Sequence, residues 1–118
     1  SASFEANVLH VQGAPYVLDG PTLRNQLLVH VVNKHPAPSV FQLKAPAVEG
    51  VEIFIPQPEV TLDSFHDMRI PVVVTLQRDA YRTGMTLSLT VHYSLSGETK
   101  ETSVRILGPG HASKEGSP

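Results

Sequence analysis

The chain has 118 residues, 41% of them hydrophobic, which suffices for one domain with a core and excludes a wholly disordered chain. Its formal net charge is −2, so it lacks the excess of basic residues that nucleic-acid binding requires, and we expect no nucleic-acid partner. Cysteine is absent, which excludes disulfides, cysteine nucleophiles and cysteine-ligated zinc or iron–sulfur sites in this chain.

The apolar runs predict neither a membrane span nor a signal peptide. No run approaches the roughly 18 residues that a membrane helix needs. Residues 1–4 have neither an initiator methionine nor a charged-then-apolar pattern. We therefore expect the chain to be a piece of a longer protein, with residues 1–6 as a leader ahead of the folded domain.

Predicted strands account for most of the sequence. Apolar and polar residues alternate, between proline- and glycine-containing breaks, over residues 7–12, 23–33, 40–44, 51–55, 59–62, 68–76, 86–93 and 100–107. Residues 94–98 are typical of a hairpin loop, and Pro71 indicates that part of its strand lies at an edge or a bulge. No segment keeps a helical period, and the polar residues 110–118 predict a disordered tail.

The alternation predicts an all-β fold in which each strand buries one face. Two such sheets must cover each other, so we predict an immunoglobulin-like β-sandwich of about seven antiparallel strands over residues 7–109. The clearest inward-facing rows are residues 68, 70, 72, 74 and 76, and residues 87, 89, 91 and 93. Asn25 and Asn33 bracket the longest strand, and we interpret both as structural.

Histidine is unusually frequent and raises the question of a metal site. The six are His10, His30, His35, His66, His92 and His111, with Met68 and Met85 as further candidate ligands for copper. An immunoglobulin-like topology places His30 and His92 in different sheets, which leaves His10 and His30 as the best pair. Because two ligands fall short of the three or four that a metal needs, we predict no metal site.

Motifs for catalysis or cofactor binding are not found. Residues 63–67 (DSFHD) bring serine, histidine and aspartate together, but in so short a segment turn hydrogen bonds are the simpler interpretation. The sequence has no Gly-x-Ser-x-Gly elbow and no dinucleotide-binding glycine motif. We therefore assign no catalytic residue, no cofactor-binding residue and no small-molecule substrate.

Four short stretches resemble one known family. They are residues 13–16 (GAPY), 23–27 (LRNQL), 31–34 (VVNK) and 104–109 (VRILGP). These motifs resemble the C-terminal immunoglobulin-like domain of the FixG/CcoG family, and the similarity extends over about residues 7–109. The resemblance implies a parent protein with several membrane helices and 4Fe–4S clusters on ferredoxin-like cysteine motifs. No such motif lies in this chain, so we expect no cofactor in it.

The resemblance also implies a role. FixG/CcoG proteins are associated with the assembly of cbb3-type cytochrome oxidase and the handling of its copper, and their immunoglobulin-like domain follows the last membrane helix, which implies the periplasmic face. We therefore expect a non-enzymatic interaction domain of a membrane-anchored protein, with the oxidase or an assembly factor as its protein partner. Two alternatives stay open: a histidine-based copper-binding domain, and a generic extracytoplasmic adhesion-type sandwich.

Overall fold

Nine β-strands form in residues 3–109, the part of the chain that the computed structural model describes. They are β1 (Phe4–His10), β2 (Val17–Asp19), β3 (Thr22–Asn33), β4 (Ser39–Lys44), β5 (Val51–Phe54), β6 (Glu59–Leu62), β7 (Asp67–Gln77), β8 (Thr86–Tyr93) and β9 (Thr99–Arg105). A short 3₁₀ helix, Arg78–Ala80, follows β7. Among the described residues, no helix is long and apolar enough to cross a membrane.

The strands are arranged in two antiparallel sheets. The first sheet has the order β1-β3-β7-β5, with β2 also paired to β3, and the second has the order β6-β4-β8-β9. β1 pairs with the second half of β3 and β2 with its first three residues, so both occupy the same edge of β3. The order matches the two sheets of an immunoglobulin-like sandwich, with β6 added beside β4, and confirms the predicted fold.

The core lies between the sheets and is made by one face of each long strand. Odd-numbered residues of β3 and even-numbered residues of β7 point inward, although Met68 is only partly buried. Leu89 and Val91 of β8 are fully buried, which confirms the inward face predicted for that strand. The rings of Phe4 and Phe41 join the two sheets with centroids 5.2 Å apart. Edge-to-face or tilted contacts of this kind are favourable beyond the area they bury.

The predicted leader over residues 1–6 is corrected by the start of β1. Phe4 is fully buried and pairs with Asn33, so the sandwich begins at least three residues before position 7. Phe4 and Ala6 continue the inward alternation of β1, whereas Glu5, Asn7 and Leu9 face outward. The predicted disordered tail, residues 110–118, lies outside the described residues.

Local breaks in the strands follow the proline and glycine positions. β5 pairs with β7 only from Val73 to Leu76, so Pro71 lies beyond the end of β5 at an open edge, as predicted. Residues 94–98 form the predicted hairpin loop, with Gly97 at φ +79°. β2 was not predicted, because Gly20 and Pro21 indicated only a turn; that turn reverses the chain and lets β2 pair with β3.

Candidate functional site

Two asparagines fix the ends of β3 to the rest of the sandwich. The Asn25 side chain is buried; its Nδ2 donates to the carbonyl of Leu107 at 2.9 Å, and its Oδ1 accepts from the Leu107 N–H at 2.8 Å. The Asn33 Nδ2 donates to the carbonyls of Leu62 and Asp63, at 3.1 Å each. Buried amides whose groups are all paired act as structural connectors, so the structural interpretation of both residues is confirmed.

The histidine pair that the sequence left as the best metal candidate is separated by the sheet. Asn7 is the residue that lies opposite His30, and His10 is three positions further along β1, so the two imidazoles point to opposite faces. The Nε2 of His10 lies 3.0 Å from the carbonyl oxygen of Arg105 on β9. His10 therefore bonds towards the second sheet, whereas His30 lies on the outer face of the first.

The remaining histidines are spread over other parts of the molecule. His92 lies in β8 of the second sheet, as predicted, and His35 and His66 lie in loops. Nowhere in residues 3–109 do three histidine, aspartate or glutamate side chains come together in a way that could hold a metal ion. His111 lies outside the described residues.

One histidine has a carboxylate partner. The Nε2 of His30 lies 2.6 Å from Oδ2 of Asp67, the first residue of β7. This hydrogen bond, with a smaller contribution from the nearby charges of His30 and Arg69, holds the pKa of Asp67 below its usual range. The pair joins β3 to the start of β7 on the outer face of the first sheet.

The outer face of the first sheet carries a continuous row of apolar side chains, which we call the apolar band. In the strand register Leu9 lies opposite Leu28, Leu28 lies opposite Pro71, and Val73, two residues further along β7, lies opposite Phe54. Directly opposite residues have Cβ atoms about 4.5–5.5 Å apart, so these five side chains form one surface. The Phe54 side chain is 63% exposed, and Leu9 and Pro71 are exposed as well.

Charged residues border the apolar band on both sides along the strands. His30 and Arg69 lie opposite each other on one side, and Arg24 and Glu52 both lie opposite Thr75 on the other. An apolar centre with a charged border is typical of a protein contact surface. Strand alternation alone predicts Phe54 and Val32 as outward apolar residues that could supply a contact surface, but it does not predict the other four members of the band. For Leu28 and Val73 the signal was present in the apolar runs 27–29 and 72–74, where the outward position between two inward ones is also apolar.

Comparison with known proteins assigns the fold to a family. The family model of the "IG-like fold at C-terminal of FixG" matches residues 1–109. The chain belongs to this FixG C-terminal family. Its description presents FixG as a candidate oxidoreductase. No curated protein matches the chain.

Solved structures show the same fold. A FixG-related protein from Vibrio parahaemolyticus superposes with a TM-score of 0.70 at 13% identity, covering 91% of this chain and 97% of that one. The GAE domain of yeast GGA1 superposes with a TM-score of 0.53 at 18% identity, covering 92% of this chain and 94% of that one. At such identities these likenesses concern the fold alone.

Three of the four stretches that resemble the FixG family contain residues that close the sandwich. Residues 23–27 contain Asn25, residues 31–34 contain Asn33, and residues 104–109 contain Leu107. In the last stretch, a Cβ added to Gly108 would come within 2.8 Å of the Tyr81 ring and 3.0 Å of Leu23, so the site fits only glycine without rearrangement. The FixG motifs in this chain therefore report the fold, and the apolar band lies largely outside them.

Proposed function

We propose that this FixG-type domain is a non-catalytic docking module of a membrane-bound iron–sulfur protein, and that it contacts cbb3-type oxidase or one of its assembly factors on the periplasmic side. The observation that carries the proposal is the apolar band. The solvated outer face of an antiparallel sheet is commonly polar, because only the inner face needs apolar side chains, and a group of adjacent apolar residues there marks a contact surface. Here the outer face of the first sheet keeps five apolar neighbours, while outward residues of β9 such as Glu101 and Arg105 are polar.

The size and form of the apolar band suit a modest protein contact. Full burial of one large apolar side chain stabilises by about 1.5–3 kcal/mol. Phe54, at the end of the band, is 63% exposed, and aromatic side chains are enriched in the buried centres of protein interfaces. The charged border, with Arg69 on one side and Glu52 on the other, would set the orientation of a partner.

A docking role also agrees with the hydrogen bonds of the polar side chains described above, which have their partners within the domain. Asn25 and Asn33 bond backbone groups, and His30 bonds Asp67. We assign redox chemistry to the iron–sulfur part proposed for the parent protein, because this chain has no cysteine to ligate a cluster. The domain would place that part next to its partner.

The test compares two variants of the full-length parent protein, each of which carries one added negative charge on a different sheet. Phe54→Glu puts a carboxylate in the apolar band, and Thr61→Glu puts one on the exposed face of β6 in the second sheet. Iron–sulfur clusters are measured by electron paramagnetic resonance, and oxidase activity is measured in the same membranes. We expect Phe54→Glu to lower oxidase activity severalfold with clusters intact, and Thr61→Glu to change neither.

Two other results would contradict the proposal. Equal oxidase activity in both variants, at equal protein levels, would mean that the band contacts no partner needed for maturation. Loss of the clusters in Phe54→Glu, in a protein that remains stable, would mean that the domain supports the redox centre directly.

A further inference from the structure

Three connections and the start of the described chain lie at one end of the sandwich, which we call the loop end. It consists of residues 34–38, 63–66 and 94–98. The Lys34 N–H donates to the carbonyl of Ser3, and Asn33 contacts the carbonyls of Ala37 and Asp63, so the first two connections and the chain start are adjacent. The third connection joins them where the Ser94 N–H donates to the carbonyl of Val40.

Two of these connections present a large apolar side chain at the tip. Phe65 is 66% exposed and Leu95 is 78% exposed. These are the two highest exposed fractions among the large apolar side chains in the described part of the chain. Each is flanked by polar residues: Ser64 and His66 on one loop, and serines on the other. They therefore form isolated apolar tips rather than a flat patch such as the apolar band.

The turn that carries Phe65 is held in a costly conformation. Phe65 has φ +62°, the single non-glycine residue in the described chain with a positive φ. For a bulky residue this left-handed conformation is rare and persists only where the surroundings enforce it. The surroundings are the bonds from Asn33: its N–H donates to the carbonyl of His66 and its side chain to that of Asp63. A rigid turn thus presents Phe65 to solvent.

We propose that the loop end contacts a lipid bilayer and that Phe65 and Leu95 insert into its interface. The inference rests on the membrane attachment in the proposed function: Ser3, the first described residue, lies at this end, so a domain tethered on its N-terminal side turns these tips towards the bilayer. Separate apolar tips can enter the soft interface of a bilayer one by one, without a partner surface shaped to match them. Two side chains alone bind a bilayer weakly, so contact depends on the tether.

The charges of the loop end predict which lipids matter. Lys34 is paired with Glu5 at 3.1 Å, and the turn and the hairpin carry Asp63 and Glu98. Without a basic cluster, attraction to anionic headgroups is not expected. Insertion should therefore occur on zwitterionic vesicles, gain nothing from anionic lipid, and depend little on salt.

The absence of cysteine makes a direct test possible. Single cysteines at Ser64→Cys and Ser96→Cys place an environment-sensitive fluorophore beside each tip and leave Phe65 and Leu95 intact. Thr61→Cys, on the outer face of the second sheet, is the control site. The labelled 118-residue chain is attached through an added N-terminal histidine tag to phosphatidylcholine vesicles containing a nickel-chelating lipid. Spin-labelled lipids then report the depth of each fluorophore.

We expect a blue shift and lipid quenching at positions 64 and 96 and neither at position 61. The shift should be lost when Phe65→Ser and Leu95→Ser are added. The proposal would be overturned if the fluorescence at positions 64 and 96 did not shift on vesicles, or if the shift persisted in the serine variants. Either result would favour a protein partner for the loop end. Phe54→Glu should leave the vesicle signal unchanged. Failure of docking through the apolar band therefore appears in oxidase activity, and failure of lipid contact appears in fluorescence.

Discussion

Asn25 and Leu107 exchange two hydrogen bonds across 82 residues of chain. The Asn25 amide uses its donor and its acceptor on the backbone of one residue, at 2.9 and 2.8 Å, as a neighbouring strand would. Asn25 lies in the first sheet, and Leu107 follows the last strand of the second. The pair thus fastens the segment that follows β9 to β3 of the first sheet.

Replacement of Asn25 by alanine should destabilise the domain by about 2–4 kcal/mol, since it removes two bonds and leaves a partly buried backbone N–H and carbonyl without protein partners. Chemical denaturation of the isolated chain measures the change. Asn7→Ala, on the exposed face of β1, is the matched control and should stay within about 0.5 kcal/mol. Equal effects in the two variants would show that the Leu107 backbone finds other partners, such as water.

A second prediction compares two leucines in one hairpin. Leu89 is fully buried in β8, and Leu95 is exposed in the loop that follows. Leu89→Ala should lower the free energy of unfolding by about 2–5 kcal/mol, because it removes buried apolar surface and leaves a cavity. Leu95→Ala should change it by less than about 0.5 kcal/mol. A small loss in Leu89→Ala would mean that the inward face of β8 is wrongly assigned.

The strands and their inward faces were predictable because alternation is a local signal. Every second residue from Ile70 to Leu76 is buried, as the alternation predicted, and the family resemblance was readable in short motifs around Asn25 and Asn33. The apolar band was harder to predict, because it exists only once the register of β1, β3, β7 and β5 is known. Leu9, Leu28 and Phe54 are distant in sequence and become neighbours through pairing.

The exposed Phe65 turn of the loop end could not be predicted from the sequence either. A phenylalanine in DSFHD signals neither its exposure nor its positive φ, because both follow from bonds that Asn33 makes across the molecule. For Asn25 and Asn33 the sequence indicated a structural role. The sequence could not name their partners, since Leu107 and Leu62 are far from the two asparagines in the chain.

A third prediction concerns the titration of Asp67. His30→Ala removes the hydrogen bond that lowers the pKa of Asp67, so that pKa should rise towards the ordinary aspartate range. A side-chain carbon NMR titration measures it. His92→Ala, in the second sheet, should leave the Asp67 titration unchanged. A constant pKa in His30→Ala would show that another neighbour, such as Arg69, sets it.

The hydrogen bond between His30 and Asp67 also gives the direction in which pH changes the free energy of unfolding. The folded-state pKa of Asp67 lies below its unfolded value, so the stabilising contribution is complete above the unfolded pKa of about 3.9 and is lost as pH falls through the folded pKa. His30→Ala should therefore be less stable than the unmodified chain at pH 5, and the difference should shrink on acidification. Because the Asp67 side chain is half exposed, solvent screening keeps the contribution small.

The last prediction tests whether Phe65 is retained at a cost to stability. Asparagine tolerates the left-handed conformation that Phe65 adopts at φ +62°. Phe65→Asn should therefore raise the free energy of unfolding by about 0.5–1 kcal/mol, although it removes a large apolar side chain. Phe54→Asn is the matched control, because Phe54 is 63% exposed against 66% for Phe65 but lies in an extended strand, where asparagine is unfavourable.

The denaturant concentrations at the unfolding midpoints of the two asparagine variants give the comparison. We expect this midpoint to rise only in Phe65→Asn. Such a variant should also lose the fluorescence shift at position 64 on tethered vesicles, since the inserting ring is gone. A gain in stability together with a loss of lipid contact is the trade-off expected of a residue kept for binding. If Phe65→Asn is instead less stable, the ring contributes packing that outweighs its backbone strain, and the strain argument for the loop end fails.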